Sequence, residues 1–425
     1  RGGEDATAMI GPRAPGALDV AIIGGGPAGL AAGAQAARRG LAHVVLERGD
    51  LAQTVVWYQK RKLVMAEPGD LPLHPGHPLT FEEGPREAVL EAWMKATQAA
   101  GTHVQHGPAN EVVRIEGERG GFELVLKDDR RITAGAVILA IGQSTLNTST
   151  VAGSELPHVG YQLNDPDAFE DQRIVIVGVG DAGIENALVL AQRNDVSVVN
   201  KGTDFPRARS RNQELLRRAI DAGKITHYPN STVKRFEERA IVLGTDAGEV
   251  RLEADRAICR LGARPPTPFL RAVGIHLPSD DPAAVPELSV TYETNVPGLF
   301  LIGAVAGYPL IKNCLNQGYE VIEHLLGHPV EPADEPKLRT ILAGLPGTTD
   351  EILERVRAGV PLLAEMNRVQ LRTLLGQSQI HFPQPGDVVV RRNDHGSSLF
   401  MVLDGTLAVR VPKSDADVDT VFRGQ

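Results

Sequence analysis

The chain has 425 residues, a formal net charge of −9 and a sequence pI near 5.8. Its apolar content of 42% and charged content of 23% are ordinary for a globular enzyme, and the acidic balance argues against general nucleic-acid binding. Two cysteines exclude a disulfide framework or a cysteine metal cluster, and no apolar run reaches the length of a membrane span, so we expect a cytoplasmic protein of two or three domains.

After a lead-in at residues 1–16 that we expect to be disordered, the stretch Asp19 to Gly33 predicts a buried strand, a glycine turn and a helix. Its spacing is G-x-G-x-x-G, in which Gly24 permits a tight turn, Gly26 lets the backbone approach a pyrophosphate, and Gly29 lets the helix lie close to the strand. A second strand ends at Glu47, at the offset where a carboxylate takes ribose hydroxyls. The residues that we assign to this dinucleotide site are Gly24, Gly26, Pro27, Ala28, Gly29, Glu47 and Arg48.

The segment that follows, Gln53 to Leu73, is aromatic and basic and predicts a long loop that crosses the first cofactor. Trp57 and Lys62 are candidates to touch that cofactor, although loop packing and a solvated cation explain them equally well. Further on, Val112 is expected where an adenine lies against backbone. A buried strand from Ala136 then ends at Gly142, where the chain closes over the cofactor.

The opening pattern returns at Arg173 to Gly183, where a β-branched strand again runs into G-x-G-x-x-G. One chain therefore carries two dinucleotide folds, which is typical of a flavoprotein that also binds a nicotinamide nucleotide. The residues that we assign to this second site are Gly178, Gly180, Asp181, Ala182 and Gly183.

The residues after the next strand set the nucleotide preference. The strand ends at Asn200 and Lys201, where an acid would favour the free 2′-hydroxyl of NADH, and no acid stands there. Lys201, Arg207, Arg209 and Arg211 follow instead, a cluster that favours the 2′-phosphate of NADPH. A solvated basic loop is the alternative explanation, so NADH stays possible.

Four ordered motifs, GGGPAG, VILAIG, VGVGDAG and PGLFLIGA, make Asp19 to about Gly327 resemble the thioredoxin-reductase-like class of FAD-dependent pyridine nucleotide oxidoreductases. The resemblance implies an α/β fold with two Rossmann-like domains, the nicotinamide domain (151–268) being inserted between two parts of the FAD domain (17–150 and 269–328). It also implies a homodimer. The further site residues that it suggests are Gly262 for NADPH and Gly303, Ala304, Asn316 and Gln317 for FAD. The class usually has Asp where this chain has Ala304.

The chain departs from that class at its redox centre. A thioredoxin reductase carries a C-x-x-C dithiol just before the second glycine turn, and this chain has no cysteine there. Bacillithiol-disulfide-reductase-like relatives place a cysteine in the first glycine turn, where Ala28 stands. Cys259 lies in an apolar strand pattern and predicts a buried inert thiol, whereas Cys314, beside Lys312 and the expected flavin-facing helix, is a weak redox candidate.

The character of the sequence changes beyond His328. Residues 329–349 predict a linker, and residues 350–425 predict helices followed by short strands with tight turns. The region resembles the opening half of a cyclic-nucleotide-binding domain, that is, a partial β-roll with leading helices. The given sequence stops about where the ligand cassette of such a domain would begin, so no residue here is assigned to a cyclic nucleotide.

Together these patterns predict hydride transfer from NADPH to FAD and then electron transfer to an external acceptor. The acceptor, or a donor if the flow is reversed, is expected to be a disulfide protein of the thioredoxin type, a ferredoxin-like protein or a quinone. Two alternatives stay open: a flavin-dependent monooxygenase, and a flavin-based redox sensor without turnover.

Overall fold

The computed structural model describes residues 9–142, 145–264, 266–281, 284–391, 398–410 and 419–423. The chain forms two compact units, Arg1–Pro329 and Val330–Gln425. Among the described residues, no helix combines the length and apolar character needed to cross a membrane.

The first unit contains the strands of the two dinucleotide folds and their connections. In chain order they are β1 (Leu18–Ile23), β2 (His43–Glu47), β3 (Leu63–Val64), β4 (Gly84–Pro85), β5 (Val104–His106), β6 (Val112–Glu116), β7 (Phe122–Leu126), β8 (Arg131–Leu139), β9 (Thr145–Leu146), β10 (Val159–Gly160), β11 (Arg173–Val177), β12 (Asp195–Val199), β13 (Ile225–Tyr228), β14 (Thr232–Glu237), β15 (Ala240–Thr245), β16 (Gly248–Glu253), β17 (Arg256–Cys259), β18 (Ala263–Arg264) and β19 (Leu299–Leu301).

The α-helices of both units are likewise numbered in chain order. They are α1 (Pro27–Arg38), α2 (Gln53–Val56), α3 (Arg86–Ala99), α4 (Asp181–Leu190), α5 (Ser210–Asp221), α6 (Thr267–Ala272), α7 (Ile311–Leu325), α8 (Glu335–Ile341), α9 (Thr349–Gly359) and α10 (Arg368–Leu375).

The first sheet joins the two ends of the first unit. Its order is β5-β2-β1-β8-β7-β6, and β19, which is distant in sequence, pairs in parallel with the carboxyl half of β8. Val20 and Ile22 of β1 pack into one core cluster, whereas Ala21 and Ile23 pack into another on the opposite face. A parallel strand covered on both faces explains why the run is apolar at every position.

The second sheet draws its strands from residues 159–259 and is parallel throughout, in the order β10-β17-β11-β12-β13. An antiparallel sheet of β14, β15 and β16 follows β13 in the chain. The first glycine turn follows β1 and the second follows β11, so each turn lies at the carboxyl end of a central strand of its sheet. Ligands bind at this edge in open α/β sheets.

The second unit differs from the sequence prediction. Residues 335–341 form helix α8 inside the expected linker, and α8, α9 and α10 share an apolar core. Buried Arg372 of α10 donates to Asp334 at 2.6 Å and to Glu335 at 2.8 Å, so the segment before α8 is fastened to α10.

The expected run of short strands is also not seen there. Among the described residues of 376–405 no strand forms, and the hairpin of β20 (Thr406–Arg410) and β21 (Asp419–Arg423) is the strand pairing of this unit. Val388 and Val390 are exposed. A strand needs a hydrogen-bonded neighbour and a covered face to be stable, and these two side chains have no covered face. Part of the predicted β-roll, residues 392–397 and 411–418, lies outside the described residues.

Candidate functional site

Three glycines stand in the first glycine turn, and a glycine is needed at each position for a different physical reason. Gly24 has φ +106°, and a Cβ there would lie 2.4 Å from the carbonyl oxygen of Ala140 in the crossing strand segment. A Cβ on Gly29 would lie 1.8 Å from the carbonyl oxygen of Gly24, so α1 approaches the turn too closely for any side chain. These two glycines are required by the fold itself.

Gly26 is required by neither packing nor backbone conformation. Its φ of −76° suits any residue, and a Cβ there would meet no protein atom within 4 Å. Gly26 is the N-cap of α1 and provides no side-chain cap, so the first N–H groups of the helix have no partner from it. Pro27 follows at the first helical position and Ala28 is buried. A helix start of this kind fits a diphosphate.

Glu47 lies at the end of β2 and holds the turn together. Its carboxylate accepts from the backbone N–H of Gly25 at 2.7 Å and of Gly49 at 2.8 Å. Each oxygen keeps further lone pairs, so the role of Glu47 toward ribose hydroxyls stays a prediction. Arg48 lies on the surface, 3.5 Å from Glu111, and its role at the cofactor stays a prediction.

The remaining residues predicted for the first half lie in different settings. Val112 begins β6 and its side chain is part of the core, so its backbone contact with an adenine stays a prediction. Gly142 has φ +58°, just before two residues that the structure does not describe. Trp57 closes α2 and is half-buried.

The segment of residues 60–67 lies against the nucleotide domain, and its Lys62 does not stay free for a flavin. The Lys62 ammonium donates to Glu185 of α4 at 2.6 Å. Lys60 pairs with Asp165 at 3.1 Å, and Arg61 lies 3.7 Å from Asp167. These three ion pairs join the first dinucleotide fold to the second.

The last flavin segment packs directly onto α1. Gly303 has φ +77°, and a Cβ there would lie 3.1 Å from the Ala28 Cβ. The backbone N–H of Gly303 donates to the Gln317 side chain at 2.7 Å. Ala304 follows with no polar side chain to offer. Gly318 follows Gln317 in α7, and a Cβ on Gly318 would lie 2.4 Å from the Ala28 carbonyl oxygen. Helices α1 and α7 therefore cross in backbone contact.

Two sequence predictions on α7 need correction. Asn316 does not present its amide to a cofactor, because it accepts from the backbone N–H of His74 at 3.1 Å and donates to the carbonyl of Pro72 at 2.9 Å. Lys312 does not activate Cys314, because its ammonium donates to the carbonyl oxygen of Pro68 at 2.9 Å.

Neither cysteine is set up for redox chemistry. The Cys314 thiol is buried and donates to the carbonyl of Tyr308 at 3.2 Å, and burial raises its pKa to about 12. Burial likewise raises the pKa of the Cys259 thiol in β17 to about 12. Because the thiolate is the nucleophile, burial and a raised pKa disfavour a redox role for Cys314.

The second glycine turn repeats the geometry of the first. Gly178 has φ +101° and faces the carbonyl oxygen of Arg260, and a Cβ on Gly183 would lie 2.0 Å from the Gly178 carbonyl oxygen. Gly180, like Gly26, has an ordinary φ of −74° and no protein atom near a Cβ. Ala182 lies in the first turn of α4. The chain therefore contains two helix starts suited to a diphosphate.

Asp181 and Arg209 both have partners within the protein. The Asp181 carboxylate accepts from the backbone N–H of Arg209 at 2.9 Å and from Asn212 at 2.8 Å, so it fastens the basic loop to α4. The Arg209 guanidinium lies 3.3 Å from Glu67. A 2′-phosphate would have to compete with that carboxylate for Arg209.

Asn200 takes the place in the second fold that Glu47 takes in the first. Leu46 precedes Glu47, and its carbonyl oxygen accepts from the backbone N–H of Gly24 at 2.8 Å. Val199 precedes Asn200, and its carbonyl oxygen accepts from the backbone N–H of Gly178 at 3.1 Å. The amide of Asn200 donates to the carbonyl of Asp204 at 2.8 Å. The position that would select the 2′-hydroxyl of NADH therefore carries no charge.

Three of the predicted cations follow this position in the chain and are exposed. Lys201, Arg207 and Arg211 are exposed and have no ion-pair partner among the described residues. Gly262 has φ +79° and accepts the backbone N–H of Asn147 at 2.9 Å. Sequence reasoning missed Glu185, which bonds Lys62, and Asn313 of α7, whose side-chain oxygen is buried without a partner among the described residues. Only Asn313 had a signal, because it precedes Gln317 by one helical turn.

Comparisons with known proteins identify a family and a fold. Residues 21–303 match the family model described as pyridine nucleotide-disulphide oxidoreductase. The chain is 28% identical over 334 residues to a ferredoxin–NADP reductase of Gluconacetobacter diazotrophicus, covering 75% of this chain and 92% of that protein. It is 24% identical over 307 residues to a ferredoxin–NADP reductase of Ignicoccus hospitalis, covering 71% and 94%. Bacillithiol disulfide reductase from Staphylococcus aureus has the same fold, with a TM-score of 0.64 and 22% identity over 72% of this chain and 98% of that one.

Proposed function

Because the chain belongs to the pyridine nucleotide-disulphide oxidoreductase family and is an FAD-dependent NAD(P)H oxidoreductase, we propose that it exchanges electrons between NADPH and a one-electron carrier of the ferredoxin type. When bound, FAD supplies the redox chemistry by taking a hydride from NADPH and passing on two electrons. The overall balance is one NADPH oxidised, two carrier molecules reduced by one electron each, and one proton released.

The choice of acceptor rests on the burial and the raised pKa of the two cysteine thiols. The sequence contains two cysteines, and both are buried with a raised pKa. A protein disulfide needs a dithiol on the enzyme to receive two electrons, whereas a one-electron carrier needs only an approach to the flavin edge. The two curated relatives described above are named ferredoxin–NADP reductases, which supports the same choice.

The chain's own residues bind and orient the two nucleotides. The first turn of α1 holds the FAD diphosphate through backbone N–H groups near Gly26, and the first turn of α4 holds the NADPH diphosphate near Gly180. Lys201 and Arg207 bind the 2′-phosphate through charge-assisted hydrogen bonds. The ion pairs of the 60–67 segment fix the position of one fold relative to the other.

A regulatory role for the second unit, with a cyclic nucleotide as the ligand, and a homodimer stay predictions. If saturating cyclic nucleotide changed neither turnover nor the melting temperature of the protein, the regulatory role would be abandoned.

Removal of both thiols tests the proposed acceptor. The variant Cys259→Ala/Cys314→Ala is expected to keep NADPH-dependent reduction of a 2Fe–2S ferredoxin within about twofold of the parent, because no electron passes through sulfur. The assay follows ferredoxin reduction under anaerobic conditions, with FAD content and melting temperature as controls for packing loss at the two buried sites. A loss of about tenfold or more at full FAD content would contradict the proposal. So would faster reduction of a disulfide than of ferredoxin by the parent protein.

A further inference from the structure

Helix α7 carries several buried polar side chains, and four of them are bonded to the protein. Lys312 and Asn316 donate to backbone carbonyls of the loop of residues 68–74. Glu320 lies 2.6 Å from a histidine of the same loop, and Glu323 accepts from Arg39, the residue after α1, at 2.7 Å. These four side chains fasten α7 to its surroundings.

Asn313 and Gln317 differ from those four. Gln317 is 2% exposed, and while its Oε1 accepts from Gly303, its Nε2 is buried without a partner among the described residues. The Oδ1 of Asn313 is likewise buried and has no partner there. Since the two residues are four apart, they lie on one face of the helix. A buried polar group without a partner costs free energy, so each of these atoms calls for a bonding partner.

The position of this amide pair is fixed by the backbone around it. The Gln317 amide is bonded to Gly303, and Gly303 is in close contact with Ala28 in the first turn of α1. Gly318, the residue after Gln317, packs on the same turn. The pair therefore lies where the start of α1, the Gly303 segment and α7 meet, beside the helix start that suits a diphosphate.

The chemistry of the two atoms selects the group that pairs with them. Gln317 Nε2 only donates and Asn313 Oδ1 only accepts, so a group that satisfies both must accept and donate. A hydroxyl does both, whereas a phosphate at neutral pH mainly accepts. Ala304, beside Gly303, has no polar side chain that bonds either atom. We infer that Gln317 donates to, and Asn313 accepts from, hydroxyls of the ribityl chain of FAD, an inference that rests on the flavin site of the proposed function.

Isosteric replacement of one amide group tests this assignment. Gln317→Glu keeps an oxygen for the N–H of Gly303 but removes the donor, and Asn313→Asp makes the matching change one turn earlier. Each variant is expected to raise the Kd of the apoprotein for FAD by about tenfold, which corresponds to the free energy of one hydrogen bond. The readout is quenching of flavin fluorescence on binding, and thermal unfolding of the apoprotein shows whether each variant folds.

An FAD analogue with a hydroxyl-free alkyl chain between the ring and the diphosphate is the matched control. The parent and both variants are expected to bind this analogue equally. Variants that bind FAD within about twofold of the parent would overturn the inference, as would a weakening that persists with the analogue. If FAD binds as expected but ferredoxin is not reduced, the proposed acceptor fails and this assignment stands. A parent chain that binds no FAD would overturn both.

Discussion

Replacing Gly29 by alanine is expected to abolish FAD binding by distorting the first dinucleotide fold. The added Cβ would lie 1.8 Å from the carbonyl oxygen of Gly24 and 3.4 Å from the Ala140 Cβ, and the nearest obstacle is backbone that cannot rotate away. Overpacking of a core typically costs about 1–3 kcal/mol, and a backbone clash of this depth belongs at or above the upper end. We expect the melting temperature of the apoprotein to fall by about 10 °C and purified protein to contain no FAD.

Gly26→Ala is the matched control for that variant, since it makes the same chemical change three residues earlier. A Cβ at Gly26 meets no protein atom within 4 Å and the backbone conformation suits alanine, so the apoprotein is expected to keep its melting temperature within about 2 °C. FAD affinity is expected to fall by about a hundredfold, because the methyl group occupies the approach of the diphosphate. If both variants lost stability equally, or if Gly26→Ala bound FAD normally, the assignment of this turn would be wrong.

The double variant Lys201→Ser/Arg207→Ser is expected to raise the KM for NADPH by about 10- to 100-fold and to leave the KM for NADH within about twofold. Both side chains are exposed, lie in the segment that follows β12, and have no ion-pair partner among the described residues. Hydrogen bonds to charged groups contribute about 1.5–3 kcal/mol each, and solvent exposure places these two at the lower end. The effect is expected to shrink as ionic strength rises.

Arg218→Ser is the control for the loss of positive charge. Arg218 is an exposed cation of α5 paired with Glu214 on its own helix, so its removal is expected to change neither KM by more than about twofold. Equal loss of NADPH and NADH affinity in the double variant would mean that Lys201 and Arg207 support the loop and do not read the 2′-phosphate.

Much of the fold was accessible from the sequence because short-range rules determine it. The β-branched runs at Val20 and Ile174 predict strands buried on both faces, and the glycine spacing after each run predicts the turn and the helix that follow. The same rules gave the positions of Gly24, Gly29, Gly178 and Gly183, where the structure leaves no room for a Cβ.

The partners of polar side chains were not accessible, because they depend on segments far apart in sequence. Lys62 bonds Glu185 across 123 residues, and Asn316 bonds the loop at His74 across 242. The expectation that Asn316 faces the flavin came from a helix predicted to begin at Asn316, whereas α7 begins at Ile311. The loop that bonds the Asn316 amide carries no sequence signal for that contact. The β-roll stays a prediction, since turn signals do not show whether a strand has a neighbour to pair with.

The central claim is that the second dinucleotide fold delivers hydride to a flavin held by the first. The most direct measurement is an anaerobic titration of the purified holoprotein with NADPH and, separately, with NADH, following loss of the visible absorption band of oxidised flavin. We expect NADPH to bleach the band rapidly at one equivalent, with NADH at least about tenfold slower, and addition of oxidised ferredoxin to restore the band with two carriers reduced per flavin. Failure of both nucleotides to bleach a fully loaded protein would contradict the claim.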